Sequence, residues 1–330
     1  MPASVLISVS LLMCVALWSP LAGMAAADPA SGSYPVRPIR LVVPQSPGGG
    51  TDLYARLIAA PLSERLGQSV VIDNRAGAGS LIGTDLVAKA APDGYTLLGI
   101  SSSITIIPSI YKEVPFDPVR DFAPVALLSS YPHLVVVHPA VPVNSIKELI
   151  ALAKAKPGAL NFASAGAGTP TQLGAELFNS LAGVKMVHVP YKGGGPALTA
   201  LLGGEVQVYF GPIATVLPHV KAGKLKALAV TGAKRSPIFP ELPGVGEAGL
   251  PGFVQDAWNG LMAPARTPPA IIKKLNREIG VVMNMPALRE RFAAQGVEAG
   301  GMSPEELASM LRSEIAKWSK VVRQAGIKPE

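Results

Sequence analysis

The sequence predicts an α/β protein of two domains with a ligand cleft between them. Strand-like apolar segments alternate with helix-like segments through most of the chain, which favours layers of mainly parallel strands covered by helices. At 330 residues the chain has the length of two ordinary domains. Glycine- or hydroxyl-rich turns follow strands in both halves, and α/β proteins bind ligands where such turns collect.

The first 27 residues have the pattern of an export signal. They contain no charged side chain, and an apolar segment is followed by Ser19-Pro20 and by Ala25-Ala26-Ala27. The apolar run is shorter than the ~20 residues that a membrane span needs. We therefore expect residues 1–27 to be removed near Ala27 and the protein to act outside the cytoplasm. Cys14, the single cysteine, would leave with the signal, so the exported chain would contain no disulfide.

The composition argues against several classes of function. Hydrophobic residues make up 49% and charged residues 15%, which is typical of an ordered, core-forming protein. The net charge of +7 is not concentrated in a run, and aromatic residues are only 5%, so we expect no nucleic-acid partner. The four histidines are scattered without metal-ligand spacing, and no nucleophile–base set is evident. We expect no metal, no cofactor and no enzymatic activity.

The first part of the chain is predicted to alternate three strands with two helices. The strands are expected over 39–43, 70–73 and 96–100, and the helices over 51–66 and 80–90. The first helix carries apolar residues on one side, which we expect to face the core: Leu53, Leu57, Ile58, Leu62 and Leu66. Residues 134–138 form an apolar strand between prolines, which we expect to cross from one domain to the other.

The alternation continues in the second half. Ser145 and Glu148 form a capping box that predicts the start of a helix. Further strands are expected over 160–164, 184–189, 206–210 and 225–231, and helices over 170–181 and 196–202. Residues 253–263 are predicted to return to the first domain. Helices over 268–284 and 303–324 follow, and the second begins with Ser303, an N1 proline and a capping-box Glu306.

The turn Pro47–Asp52 is the most informative of five turns that follow strands. Three glycines precede Thr51-Asp52 at the start of a helix. The amides and the dipole at a helix start favour an anion, and glycine allows the anion to approach the main chain closely. No Lys follows the glycines, as a P-loop would require, so a small carboxylate is favoured over a nucleotide. The other turns cover 74–80, 101–103, 164–169 and 191–195; each alone is explained by ordinary turn chemistry, but together they predict a cleft lined from both domains.

The ordered motifs of the chain resemble one family of proteins. From about Tyr34 to Gly326 the chain is similar to substrate-binding proteins of the tripartite tricarboxylate transporter system, the Bug family. The resemblance rests on the following segments: Tyr34-Pro35, Arg37-Pro38-Ile39-Arg40, Val43-Pro44, residues 47–52, 74–79 and 91–98, Val189-Pro190-Tyr191-Lys192-Gly193, residues 225–232, Glu247-Ala248-Gly249, Ala263-Pro264 and Thr267-Pro268.

This resemblance implies a two-domain periplasmic binding protein of the type II, Venus-flytrap class, with the ligand cleft between the domains. Domain 1 would comprise residues 28–136 and 256–330, and domain 2 would be residues 137–255, inserted through two crossing strands. Family members bind small, mostly carboxylated compounds through main-chain amides, hydroxyls and bridging water. Carried over to this chain, the ligand-binding residues would be Pro47, Gly48, Gly49, Thr51, Asp52, Ser102 and Ser103 in domain 1, with Ser164, Gly166, Gly168, Thr169 and Tyr191 in domain 2.

Two departures from the family pattern bear on the ligand. Gln172 stands where the family often has His, and Phe210 is followed by Gly211-Pro212 where an Asp is common. Without that carboxylate a substrate amine would lack a partner, which favours a mono- or dicarboxylate without an amine. The expected function is capture of such a solute by a monomer that delivers it to membrane permease subunits. The alternatives are a periplasmic sensor for the same ligand and, less favoured, a secreted enzyme that uses the cleft.

Overall fold

The computed structural model describes residues 34–48, 50–166, 168–191, 193–236, 238–294 and 296–329. The predicted signal segment, Cys14 and Gly49 lie outside the described residues. The strands of the described part are β1 Ile39–Val43, β2 Val70–Asn74, β3 Thr96–Ser101, β4 Phe122–Val137, β5 Asn161–Ser164, β6 Val187–Pro190, β7 Val208–Pro212, β8 Lys226–Val230, β9 Asp256–Pro264 and β10 Glu298–Ala299. The helices are α1 Gly50–Leu66, α2 Leu81–Ala88, α3 Ile107–Ile110, α4 Ile146–Ala155, α5 Pro170–Ala182, α6 Gly194–Leu202, α7 Ile213–Lys221, α8 Pro269–Met283, α9 Pro286–Ala293 and α10 Pro304–Gln324.

Strand β4 is shared between two groups of strands. Its first part, Phe122 to Pro132, pairs with β9; β9 pairs with β3, β3 with β1, and β1 with β2. We call these strands, with α1–α3, α8 and α9, the first lobe. Its last part, His133 to Val137, pairs with β7 and β8, and β7 leads to β5 and β6; these strands and α4–α7 form the second lobe. The two lobes are therefore joined by β4 going out and β9 coming back.

The prediction of mainly parallel strands is only partly correct. Strand β1 is parallel to β2 and β3, and β5 is parallel to β6 and β7, as expected for strand–helix–strand units. Strand β4 is antiparallel to each of its neighbours, and β9 is antiparallel to β3. The physical reason is the hinge: an outgoing strand and a returning strand run in opposite directions.

Helices cover both faces of the strands in each lobe. In the first lobe Ile58 and Leu62 of α1 pack with Leu275 of α8 in one cluster of buried residues, while α2 covers the opposite face. In the second lobe α4 and α5 cover one face, and α6 and α7 the other. Leu53, which the sequence places on the inner side of α1, is instead 41% exposed, because the core face of that helix centres on Ile58.

Helix α10 contacts both lobes. It begins with the predicted capping box, in which Ser303 accepts from the Glu306 amide and Glu306 accepts from the Ser303 amide. Its first turns bury Leu307 and Leu311 in a first-lobe cluster with Trp258. Its last turns bury Trp318, Val321 and Val322 in the cluster that contains Phe178 and Phe253 of the second lobe. The domain boundaries given above stay a prediction.

In the described part of the chain, none of the helices combines the length and the apolar character that a membrane crossing would need.

Candidate functional site

A cavity of about 330 Å³ lies between the lobes, next to the carboxyl ends of β1 and β3 and the loop after β5. We call it the cleft cavity. Its lining comes from three first-lobe segments and one second-lobe loop: Pro44, Gln45, Ser46, Ala76, Gly77, Gly79, Ser80, Ser103, Ile107, Ile110, Tyr111, Gly168 and Thr169. None of these described lining residues is charged. Carboxyl ends of strands are where open α/β sheets bind ligands, so this position is the expected one.

Two helices, one from each lobe, begin at the cleft cavity. Ser80 immediately precedes α2 and Thr169 immediately precedes α5, and both residues line the cavity. Neither side chain caps its helix. At the start of α5, Pro170 has no N–H and the amides of Gln172 and Leu173 donate to the Thr169 carbonyl, so the helix dipole is the main source of partial positive charge there. The two helix starts therefore provide an electropositive environment without a cationic side chain.

A left-handed turn forms part of the cavity wall. Four successive residues have positive φ: Gly77 (137°), Ala78 (44°), Gly79 (60°) and Ser80 (84°). Such angles are uncommon outside glycine and cluster at functional sites, where the surrounding structure maintains them. A Cβ at Gly79 would lie 2.0 Å from the Tyr111 hydroxyl, so glycine is what allows Tyr111 to pack against the turn.

The second-lobe loop is held by a hydrogen-bond network around His188. The Gly168 amide donates to Gln172 Oε1 at 2.7 Å, which turns Gln172 Nε2 toward His188 Nδ1 at 3.2 Å. Because an amide NH₂ can only donate, Nδ1 accepts, and the neutral ring carries its proton on Nε2. His188 Nε2 then donates to Ser164 Oγ at 2.6 Å. Burial lowers the pKa of His188 to about 4, which keeps the ring neutral.

The Ser164–His188 pair has the distance of a nucleophile and its base but the wrong proton arrangement. The ring nitrogen that faces Ser164 already carries a proton, so it cannot take one from the hydroxyl. Ser164 Oγ also accepts from the Gly166 amide at 3.1 Å, and the residue is fully buried. The network shapes the loop: Thr169 Oγ1 donates to the Gly166 carbonyl at 2.7 Å.

In the turn Pro47–Asp52, the carboxylate of Asp52 bonds to the turn's own backbone. Asp52 accepts from the Gly48 amide, from Arg56 Nε and from Asn74 Nδ2, each at 2.9 Å. The hydrogen bond from Arg56, followed by those from Gly48 and Asn74, lowers the pKa of Asp52 to about 2 against the opposing effect of burial. Thr51 Oγ1 donates to Asn259 Oδ1 at 2.9 Å and is buried. Asp52 thus closes the turn in the manner of a capping residue.

The structure brings together only some of the residues predicted for the site. Ser103, Gly168 and Thr169 line the cleft cavity. The remaining described candidates do not belong to its lining: Pro47, Gly48, Thr51, Asp52, Ser102, Ser164, Gly166 and Tyr191. Of these, Ser102 is 3% exposed, and the Tyr191 amide donates to the Ser164 carbonyl. Gly49 lies outside the described residues.

Several lining residues were not among the predicted site residues. Ser80 and Gly79 belong to the turn over 74–80, whose glycines and position after a strand were a usable signal. Gln45 lies two residues after the end of β1, which was a weaker signal. Ile107 and Ile110 carried none, because two isoleucines in an apolar segment are indistinguishable in sequence from ordinary core residues.

A second cavity, of about 340 Å³, lies beside the hinge strands β4 and β9. The charged residues of its walls are Lys234, Arg235, Asp256 and Glu298. Burial, with the nearby charges of Glu298 and Glu314, raises the pKa of Asp256 to about 6 against the opposing effect of Lys317. These walls carry two basic and two acidic side chains and no described helix starts there, whereas two helices begin at the cleft cavity, so the cleft cavity is the better candidate for an anionic ligand. No cluster of metal-ligating side chains occurs in the described segments.

Comparisons with known proteins agree with this architecture. Residues 54–327 match the model of the tripartite tricarboxylate transporter family receptor. BugT of Bordetella pertussis is 41% identical over 320 residues, covering 96% of this chain and 98% of BugT. A solved R. palustris protein with adipate is 38% identical with a TM-score of 0.79, covering 90% of this chain and all of that one.

MatC from Rhodopseudomonas palustris, solved with bound malate, is 36% identical with a TM-score of 0.74, covering 88% of this chain and 100% of MatC. These similarities confirm the predicted two-domain fold of a periplasmic binding protein. The chain therefore belongs to the tripartite tricarboxylate transporter receptor family, the Bug family of solute-binding proteins.

Proposed function

We propose that the protein captures a small carboxylated solute in the cleft cavity and presents it to the permease subunits of a tripartite tricarboxylate-type transporter. The observation that carries the proposal is the convergence of two helix starts, α2 from the first lobe and α5 from the second, on one cavity. Relatives solved with adipate and with malate support a carboxylate as the ligand class.

Amides and hydroxyls are the groups expected to hold the carboxylate. The Ser80 and Ser103 side chains line the cavity and form no hydrogen bond with another described residue, so both can donate to a ligand. An amine on the solute has no obvious partner, because no acidic residue belongs to the described lining and Asp52 is already bonded to three donors. A carboxylate without an amine therefore fits best.

The variant Ser103→Ala tests this placement. A hydrogen bond to a charged group contributes about 1.5–3 kcal/mol, so removing the Ser103 hydroxyl should weaken binding of the best carboxylate about 10- to 150-fold. The ligand is found by thermal shift across organic acids, since saturation at 100 times Kd raises the unfolding free energy by about 2.7 kcal/mol. Affinity is then measured by calorimetry.

The matched control is Ser313→Ala, an exposed serine in α10, which should bind like the parent protein. Unchanged affinity in Ser103→Ala would move the site away from the cleft cavity. Stabilisation by neutral or cationic solutes, with none by carboxylates, would contradict the proposed ligand class.

The proposal includes export and delivery. We infer that the protein reaches the periplasm after cleavage near Ala27, that it acts as a monomer and that it catalyses no reaction. The mass of the protein recovered from the periplasmic fraction tests the cleavage position, and light scattering tests the monomer. Loss of solute uptake on deletion of the permease genes supports delivery, whereas unchanged uptake with an altered transcriptional response would favour a sensor.

A further inference from the structure

We propose that the hydroxyl of Tyr111 donates a hydrogen bond to the carboxylate that the cleft cavity holds. This inference rests on the proposed function, since it names a further ligand-binding residue of the same site. Tyr111 directly follows α3 and lines the cleft cavity, but the ligand-binding prediction did not include it.

Tyr111 lies beside the two helix starts at the cavity. A Cβ added to Gly79 would lie 2.0 Å from Tyr111 Oη and 2.9 Å from Cζ, so the hydroxyl end of the ring packs on the turn that precedes α2. The preceding residue, Ile110, packs on Gly168 shortly before α5, where a Cβ would lie 2.1 Å from Ile110 Cδ1. The dipoles of α2 and α5 favour an anion at their first turns. The phenol hydroxyl is therefore close to the place where a carboxylate is favoured.

The Tyr111 hydroxyl is available to a ligand. The Tyr111 amide donates to the Ile107 carbonyl at 3.2 Å, whereas the hydroxyl of this half-buried residue forms no hydrogen bond with another described residue. The Thr169 hydroxyl, by contrast, already donates to the Gly166 carbonyl at 2.7 Å. A phenol is more acidic than the hydroxyl of serine or threonine, so Tyr111 is the strongest hydroxyl donor of the described lining.

The chemistry of the hydroxyl separates two roles that it could have toward a ligand. As a donor to a carboxylate it forms a charge-assisted hydrogen bond, which is about twice as strong as a neutral one. As an acceptor it would bond to a hydroxyl of the ligand. A donor role affects every acid that binds, and affects the acid more than its neutral amide. An acceptor role affects only ligands that carry a hydroxyl.

The variant Tyr111→Phe tests the donor role, because it removes the hydroxyl and keeps the ring that packs on Gly79. The probes are adipate, succinate, malate and benzoate, each compared by calorimetry with its neutral amide. For each acid that binds the parent protein, Tyr111→Phe should weaken binding about 10-fold or more, because a hydrogen bond to a charged group is lost. Amides that bind should lose less, about 2- to 10-fold, because their hydrogen bond is neutral.

Tyr95→Phe is the matched control. Tyr95 precedes β3 and lies outside the cleft lining, and its hydroxyl accepts from the Val36 amide at 3.0 Å. This variant also loses one tyrosine hydroxyl, but it should bind every acid as the parent protein does. Because the Tyr111 hydroxyl has no partner among the described residues, Tyr111→Phe without ligand should melt at the same temperature as the parent protein. A loss of affinity then reports on the ligand and not on the fold.

The outcomes separate this inference from the function on which it rests. The inference is wrong, while carboxylate capture stands, if Tyr111→Phe binds the acids as tightly as the parent protein does. It is also wrong if acids and amides lose affinity equally, or if malate loses affinity and succinate does not, since the hydroxyl would then accept from a ligand hydroxyl. If none of the four acids binds the parent protein, the proposed function itself fails.

Discussion

At the scale of single residues, Gln172 shows how one side chain can determine the chemistry of its neighbours. The Gln172 side chain accepts from the Gly168 amide and donates to His188. Those two bonds set the His188 tautomer, and the tautomer prevents Ser164 from being activated as a nucleophile. A short chain of donors and acceptors thus connects Gly168, Gln172, His188 and Ser164 in this loop.

The buried neutral histidines predict how stability depends on pH. The pKa values of His188 and His133 are lowered by burial from 6.5 to about 4. Between those values the unfolded chain binds protons that the folded chain does not, so stability is complete above pH 6.5 and falls as the pH drops toward 4. The free energy of unfolding can be measured in urea at about pH 7 and about pH 5. His188→Gln should reduce its dependence on pH by up to about 1.4 kcal/mol per pH unit.

The free energy of unfolding of that variant should still depend on pH, because His133 is unchanged and fully buried at the hinge. Identical slopes for the parent and His188→Gln would show that His188 is not held neutral in the folded protein.

At the scale of elements, helix starts with a local chemical signal were predictable. Ser303 and Glu306 identify the start of α10 because their reciprocal hydrogen bonds depend on the chain itself and not on the fold around it. The sequence predicted only the end of strand β4, residues 134–138, because Pro124 and Ser129 interrupt the apolar pattern of the rest. The strand continues through these residues because it pairs with β9. Helix α7 was missed altogether, because Pro218 lies inside it.

The same distinction explains the site. Polar turns after β1 and β5 were visible in the sequence, but which of their donors remain for a ligand depends on tertiary contacts. The Gly48 amide is taken by Asp52, and the Thr51 hydroxyl by Asn259, which lies far away in the chain. Ile110 of α3 becomes a cavity residue beside the second-lobe loop, because its Cδ1 lies against Gly168.

The capping box of α10 gives a test at this scale. Ser303→Ala removes the acceptor for the Glu306 amide and should lower the free energy of unfolding by about 1 kcal/mol, measured by urea denaturation. Ser313→Ala, in the exposed middle of the same helix, should be neutral or slightly stabilising, because alanine has the higher helix propensity. Equal effects of the two substitutions would contradict a specific role for the cap.

At the scale of the whole molecule, the lobes are joined by more than the two hinge strands. Helix α10 buries residues in a cluster of each lobe, and Ser180 of α5 donates to Gln324 at 2.9 Å. If the lobes move relative to each other, either the last turns of α10 stay packed on the second lobe and move with it, or they separate from α5. The helix acts as a third mechanical link.

Trp318 tests this link. It is 2% exposed and donates from Nε1 to Glu314 at 2.7 Å, so Trp318→Ala should lower the free energy of unfolding by about 3–5 kcal/mol. Arg312→Ala, exposed on the same helix, should change it by less than about 0.5 kcal/mol. Denaturation followed by circular dichroism measures both. A Trp318→Ala loss as small as that of Arg312→Ala would show that α10 does not stabilise the second lobe.

The double attachment of α10 has a consequence for biosynthesis. The second-lobe cluster includes Trp318, Val321 and Val322, which the ribosome makes after the rest of the second lobe. Residues 137–255 can therefore be synthesised in full and still lack part of their apolar interior. For a chain that is exported, as we propose for this one, this order means that the interior of the second lobe cannot close until Trp318, Val321 and Val322 have been made.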